Sequence, residues 1–207
     1  MKLYNTELEK QVHTLFEELK VRSNEIVSEE RIRINATEKI MKLVYNKILV
    51  ATESYMVDVY AFFVEKIKNE EFFKNPENLN AFYRLNLRDK LNKMYRFNIQ
   101  NSNVYKKKIE YKDISLLRTT ASLTVGALVM GEILKFALSK IIDISQVVVI
   151  EGTVVVALSS YFMIPLRNRN EYKKAIYKFL NDLENDVFGW LYNVEGYIDK
   201  QVKTLYK

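Results

Sequence analysis

Apolar positions along this chain recur mainly at helical spacing. From Leu3 to about Asn69 there is no Gly and no Pro, and Leu8, Val12, Leu15 and Leu19 fall on one helix face. The pattern loosens at SEERIRINATEK, where Asn35 stands three residues before Glu38 as in a capping box, so a helix break or restart is expected there. A second face follows through Ile40, Leu43, Val44, Ile48, Ala51, Tyr55, Val59, Phe62 and Phe63. The stretch KNPENLN reads as a stop and a new start, with Asn75 as N-cap and Pro76 as first helical residue of a helix reaching about Phe97. Residues 98–103, NIQNSN, read as a loop. Near the C-terminus, Ile176, Leu180, Leu183, Val187, Trp190, Val194, Ile198 and Leu205 recur about every 3.5 residues, the spacing of a coiled-coil seam. That face of a 172–205 helix is read as the surface for a protein partner or a second copy.

Between these regions the character changes. From Thr119 to Leu166 the chain is mostly apolar, and QVVVIEGTVVVALSSYFMIPL, residues 146–166, carries a single charge, Glu151. With Asp143 as midpoint, Arg118 and Arg167 bound two arms of similar length, each long enough as a helix to span about 35 Å. A hydrocarbon core is about 30 Å thick, so the block reads as a transmembrane helical hairpin. Lys106, Lys107, Lys108, Lys112 and Arg118 lie at one outer end, and Arg167, Arg169, Lys173 and Lys174 at the other. The excess of cations at both outer ends predicts that both termini are cytoplasmic, with these residues at anionic lipid headgroups.

The two arms differ. The second favours insertion by roughly −5 kcal/mol against roughly +3 for Glu151, whereas the first carries Glu132, Lys135 and Lys140 and is marginal alone. Lys135 and Glu151 are equidistant from Asp143, so an antiparallel pair would set them at one depth, with Glu132 three residues from Lys135. A Glu132–Lys135–Glu151 cluster would offset much of the desolvation cost. Gly126, Gly131 and Gly152, with Ala127, offer small surfaces for close helix packing. Two other readings compete. VVVI-EG-TVVV has the form of a β-hairpin around a Gly-containing turn, but it lacks period-2 alternation and a partner strand. A soluble bundle with the block as its core is the other.

Composition narrows the chemistry. The 207 residues carry a net charge of +6, which favours an anionic partner. There is no Cys, hence no disulfide, thiolate site or thiol nucleophile, as suits a reducing compartment. MKLYNTELEK has no apolar core region, so no cleavable signal peptide is expected. His13 is the sole histidine; with Glu9 it makes one helical pair, short of a metal site, and no hydrolytic triad follows from it. No phosphate-binding glycine motif is present. No catalytic residue, metal or cofactor is therefore expected, and the chain is read as a non-enzyme. Residues 90–112, KLNKMYRFNIQNSNVYKKKIEYK, mix cations with aromatics; lipid headgroups are favoured over nucleic acid because the neighbouring apolar block independently calls for a membrane.

Over residues 100 to 195 the arrangement is similar to the two-transmembrane SLATT-type effector domains of bacterial conflict systems, with a helix before a short-looped hairpin and a basic helix, here RNRNEYKKAIYKFL, after it. The resemblance is one of pattern and implies membrane disruption as a candidate activity. The expected fold is all-α: an N-terminal helical region over 1–112, an apolar hairpin over 113–168, and a C-terminal amphipathic helix over 169–207 packing with the first. The leading expectation for function is a membrane-anchored, oligomeric helical scaffold. A pore-forming effector is the first rival, and a soluble interaction or nucleic-acid-binding module the second.

Overall fold

A computed structural model describes residues 5–30, 33–111, 113, 115, 122–123 and 146–206; in 146–164 only the Ser159 side chain is described beyond the backbone. The described elements are helical, with no strand among them. They are α1 (Thr6–Glu29), α2 (Arg33–Asn69), a short 3-10 turn (Glu71–Lys74), α3 (Pro76–Arg84), α4 (Leu87–Met94), a 3-10 turn (Ile99–Asn101), α5 (Asn103–Lys107), α6 (Gln146–Lys203) and a final 3-10 turn (Thr204–Tyr206). Two compact units divide the chain: residues 1–109 with 176–207, and residues 110–175.

The first unit is a bundle, and one spacing rule organises the core faces of α1 and α6. Buried positions on α1 are Leu8, Val12, Phe16, Leu19, Ser23 and Val27, at steps of four, four, three, four and four. On α6, Ile176, Leu180, Leu183, Val187, Leu191, Val194, Ile198 and Val202 repeat the same four-four-three order. Along α2 the stripe from Ala36 to Ile67 steps by four except for one step of three between Thr52 and Tyr55, so α2 keeps the repeat only around that step. Eleven residues over three turns give 3.67 residues per turn, just above the natural 3.6, so the seam drifts little and any supercoil it imposes is right-handed. Each Val, Leu, Ile or Phe among these buried residues, taken fully from water, contributes about 1.5–3 kcal/mol.

Two sequence expectations change here. Phe16, not Leu15, takes the buried place on α1; Leu15 is half-buried. On α6 the buried residue is Leu191, at 0% exposure, while Trp190 turns sideways and is half-buried. A 3.5-residue seam would have favoured Trp190.

Polar contacts set the helix directions. Lys39 pairs with Glu30 near the α1–α2 junction, and the Tyr55 hydroxyl donates to the Gln11 carbonyl farther along, so α1 and α2 are antiparallel. Asn5, His13 and Asn24 of α1 meet Glu195, Glu184 and Tyr177 of α6 in turn, so these two are antiparallel as well. The start of α1 is capped from two sources. The Asn5 side chain accepts from the Glu7 and Leu8 amides at 3.1 and 3.3 Å. Leu8 belongs to the core and cannot return the bond as a capping-box Glu would. Glu195 of α6, 1% exposed, takes that role and accepts the Asn5 amide at 3.4 Å.

Helix boundaries follow local chemistry. α2 begins at Arg33, so Asn35 lies inside its first turn and the break falls earlier than the capping pattern predicts. Asn75 does cap α3, accepting from the Glu77 amide at 2.9 Å, with Pro76 next. The single helix expected from 76 to 97 is divided in two because Asn86 adopts a left-handed conformation, φ 47° and ψ 46°. At the C-terminal end, Tyr206 stacks on Phe72 with centroids 4.5 Å apart, and its hydroxyl donates to Glu70.

In the second unit, Tyr111 packs edge-on against Tyr172 with centroids 5.3 Å apart, and Asn168 is buried between the exposed Arg167 and Arg169. α6 is a single helix of 58 residues with Pro165 inside it, so it runs on without a break through the boundary expected between residues 168 and 169. Among the described residues no helix is long and apolar enough to cross a membrane. Most of the 119–166 block lies outside the described residues.

Candidate interaction surface

The C-terminal face expected to meet a partner is filled from within the chain. Ile176, Leu180, Leu183, Val187, Val194 and Ile198 are exposed by 1% or less, on the helix that α1 meets through Asn5, His13 and Asn24. Trp190 serves a different neighbour. Its indole N–H donates to the Tyr95 carbonyl at 2.5 Å, and its ring meets Phe97 at 5.3 Å.

Tyr95 begins a strap, residues 95–108, that crosses between α2 and α6. Arg96 pairs with Glu53 of α2 at 2.5 Å, while Tyr95 stacks on Tyr197 of α6 at 5.0 Å. Ile99 is buried at 2% exposure, and the Ser102 hydroxyl donates to Asp186 at 2.5 Å. Tyr105 packs on Tyr45 at 6.3 Å and donates to the Met41 carbonyl at 3.5 Å. Burial and then the nearby Tyr45 push the Tyr105 hydroxyl above its usual pKa. α1 thus lies along one edge of α2 and the strap along another. Burial explains the strap: its aromatics and Ile99 turn inward, and its polar residues other than Ser102 turn out.

The predicted lipid-facing cations divide as follows. Lys106 and Lys107 end α5, and Lys108 follows at φ 57°; all three are exposed. Arg167 and Arg169 are exposed on α6, Lys173 is half-buried, and Lys174 pairs with Glu171 at 2.9 Å. That bond to Lys174, with its charge and a smaller effect of Arg167, lowers the Glu171 carboxyl pKa. Lys112 and Arg118 lie outside the described residues, as do Gly126, Gly131, Glu132 and Lys135. Glu151 and Gly152 lie on α6 in the part described by backbone alone.

Sequence reasoning missed Arg84 and Arg88. Leu87 and Leu91, at 2% and 0% exposure, fix α4 against the bundle and leave Arg88, Lys90 and Lys93 outside, with Arg84 at the end of α3. The signal was the i, i+4 leucine pair between cations. From Arg84 to Lys108 the chain holds eight Lys or Arg residues against one acid, Asp89. Asp89 is engaged by the Asn86 side chain at 2.8 Å.

His13 donates from Nδ1 to Glu184 at 2.6 Å and packs on Phe188 at 5.0 Å, a contact that ties α1 to α6. Among the described residues no group of three or more His, Asp or Glu could hold a metal. A cleft of about 310 Å³ lies where Phe97 and Asn92 approach Thr52, Met56 and Val57 of α2, and the Glu53–Arg96 pair spans it. In its wall the Thr52 hydroxyl donates to the Ile48 carbonyl at 2.8 Å, and Glu53 is held by Arg96. No family model, curated protein or solved structure matches this chain.

Proposed function

We propose that this chain is a non-enzymatic, membrane-anchored helical scaffold. The observation that carries the reading is the apolar block at 119–166, bounded by Arg118 and Arg167 and flanked on both outer sides by cations. The helical unit built from α1, α2, the strap and the end of α6 would be the cytoplasmic part. Its closed core and paired polar contacts suit a rigid platform. With the α6 face filled, partners would meet outward surfaces. The absence of cysteine allows a direct test. In inverted-topology labelling of cells expressing full-length single-cysteine variants, Asp143→Cys should react with an impermeant maleimide applied from outside, and Lys20→Cys only after permeabilisation. Equal labelling of both in intact cells would reject the topology.

A pore is the second reading. It is favoured by the equal distance of Lys135 and Glu151 from Asp143, which would bring opposite charges to one depth in a hairpin. Dye release from liposomes separates the two. A scaffold leaves them sealed; a pore leaks, and Lys135→Leu changes the leak.

A further inference from the structure

Charge on the bundle is divided unevenly. α1 carries three cations, and each is neutralised on its own helix: Lys10 by Glu7, Lys20 by Glu17 and Arg22 by Glu25. From the end of α3 to the end of the strap, Arg96 alone is paired among the described residues, with Glu53. Arg84, Arg88, Lys90, Lys93 and Lys106–Lys108 are all exposed, and none has an ion-pair partner among the described residues. These cations follow α2 over a considerable length. Arg88 acts on Tyr60, and Tyr105 next to the lysines reaches Met41. Tyr60 and Met41 are 19 residues apart, about 28 Å along a helix.

Two apolar side chains stand among the cations. Met94 is 60% exposed and Tyr83 44% exposed. Unpaired cations interspersed with exposed Met and Tyr match the boundary between headgroups and acyl chains. Nucleic acid fits less well. Binding to single strands relies on open aromatic faces. Here Tyr95, Phe97 and Tyr105 are half-buried and engaged by Tyr197, Trp190 and Tyr45.

We infer that the surface bearing Arg84, Arg88, Lys90, Lys93 and Lys106–Lys108 is a docking face for an anionic lipid surface, with Met94 entering the headgroup layer. The inference rests on the membrane reading for the nearness of lipid, and the test separates the two. Full-length Met94→Cys, carrying an environment-sensitive fluorophore, is reconstituted with vesicles of phosphatidylcholine alone or of equimolar phosphatidylcholine and phosphatidylserine. Val21→Cys, 57% exposed on α1, is the control. Brominated lipid should quench the label at 94 at least about twofold more in the anionic vesicles, and high salt should remove the difference. The label at 21 should show no such difference. Each Lys or Arg near such a surface strengthens attraction about fivefold, so adding Arg84→Ser, Arg88→Ser and Lys93→Ser should lower it about 100-fold and return position 94 to its phosphatidylcholine level. Arg84→Lys with Arg88→Lys should retain the quenching, and helix ellipticity reports folding of every variant. Equal quenching at 94 in both lipids, equal response at 21, or protection of 94 by RNA but not by anionic vesicles would overturn the docking face. Flotation separates the anchor. Protein floating with both vesicle types at high salt, without charge-dependent quenching, keeps the anchor and rejects the face. Protein floating only with anionic vesicles and released by salt keeps the face and rejects the anchor.

Discussion

Replacing Leu191 by Ala tests the 11-residue core repeat. Leu191 is 0% exposed, whereas Trp190, which a 3.5-residue seam would bury, points to the strap. The substitution removes three carbons at about 0.8 kcal/mol each, and the residual cavity brings the expected cost to about 3–4 kcal/mol. Urea unfolding of the full chain, followed by helix ellipticity, measures it as a shift in midpoint at constant slope. Tyr192→Ala, 40% exposed at the adjacent position, should cost well under half as much. Trp190→Phe should cost about 1 kcal/mol, for the bond to the Tyr95 carbonyl, and should loosen the strap before the core. If Leu191→Ala costs less than about 1 kcal/mol, the repeat does not organise the core and the argument from spacing fails.

Other substitutions probe single contacts. Ser23 is fully buried and its hydroxyl has no hydrogen-bond partner among the described residues, so Ser23→Ala should be neutral or stabilise by up to about 1 kcal/mol in the same urea assay. Asn86→Ala removes both the tolerance for positive φ and the bond to Asp89; a loss of about 1 kcal/mol is expected, with Asn86→Gly milder. Burial, with smaller contributions from Asp58 and Glu18, raises the Tyr55 hydroxyl from 10.0 to about 12. The folded state therefore holds the proton that the unfolded chain releases near pH 10. Its stabilisation is complete below pH 10 and is lost as pH rises toward 12. Urea midpoints should fall across that window, and Tyr55→Phe should flatten the fall.

The long helices were legible because their apolar residues return at helical spacing without Gly or Pro. What was not legible turned on one-residue choices. Leu15 and Phe16 are both apolar, and tertiary packing, not local pattern, selects Phe16 for burial. Trp190 and Leu191 pose the same choice, decided by a strap that shows no periodicity of its own. Asn75–Pro76 could be read directly because an N-cap and its proline act through the nearest amides. The division at Asn86 could not, since Asn is tolerated both within helices and at left-handed turns. The basic surface was half visible. Lys106–Lys108 form a run in sequence, whereas Arg84 and Arg88 join them only once Leu87 and Leu91 anchor α4. The cap from Glu195 spans 190 residues of sequence and had no local signal.

The most direct test of the membrane-anchored scaffold is alkaline carbonate extraction of membranes from cells expressing the full chain. Carbonate strips peripheral proteins, including any held only by the cations of the α3–α5 surface. The protein is expected to stay in the membrane pellet and to need detergent for release. Recovery in the carbonate supernatant would contradict the anchor and make residues 119–166 part of a protein core.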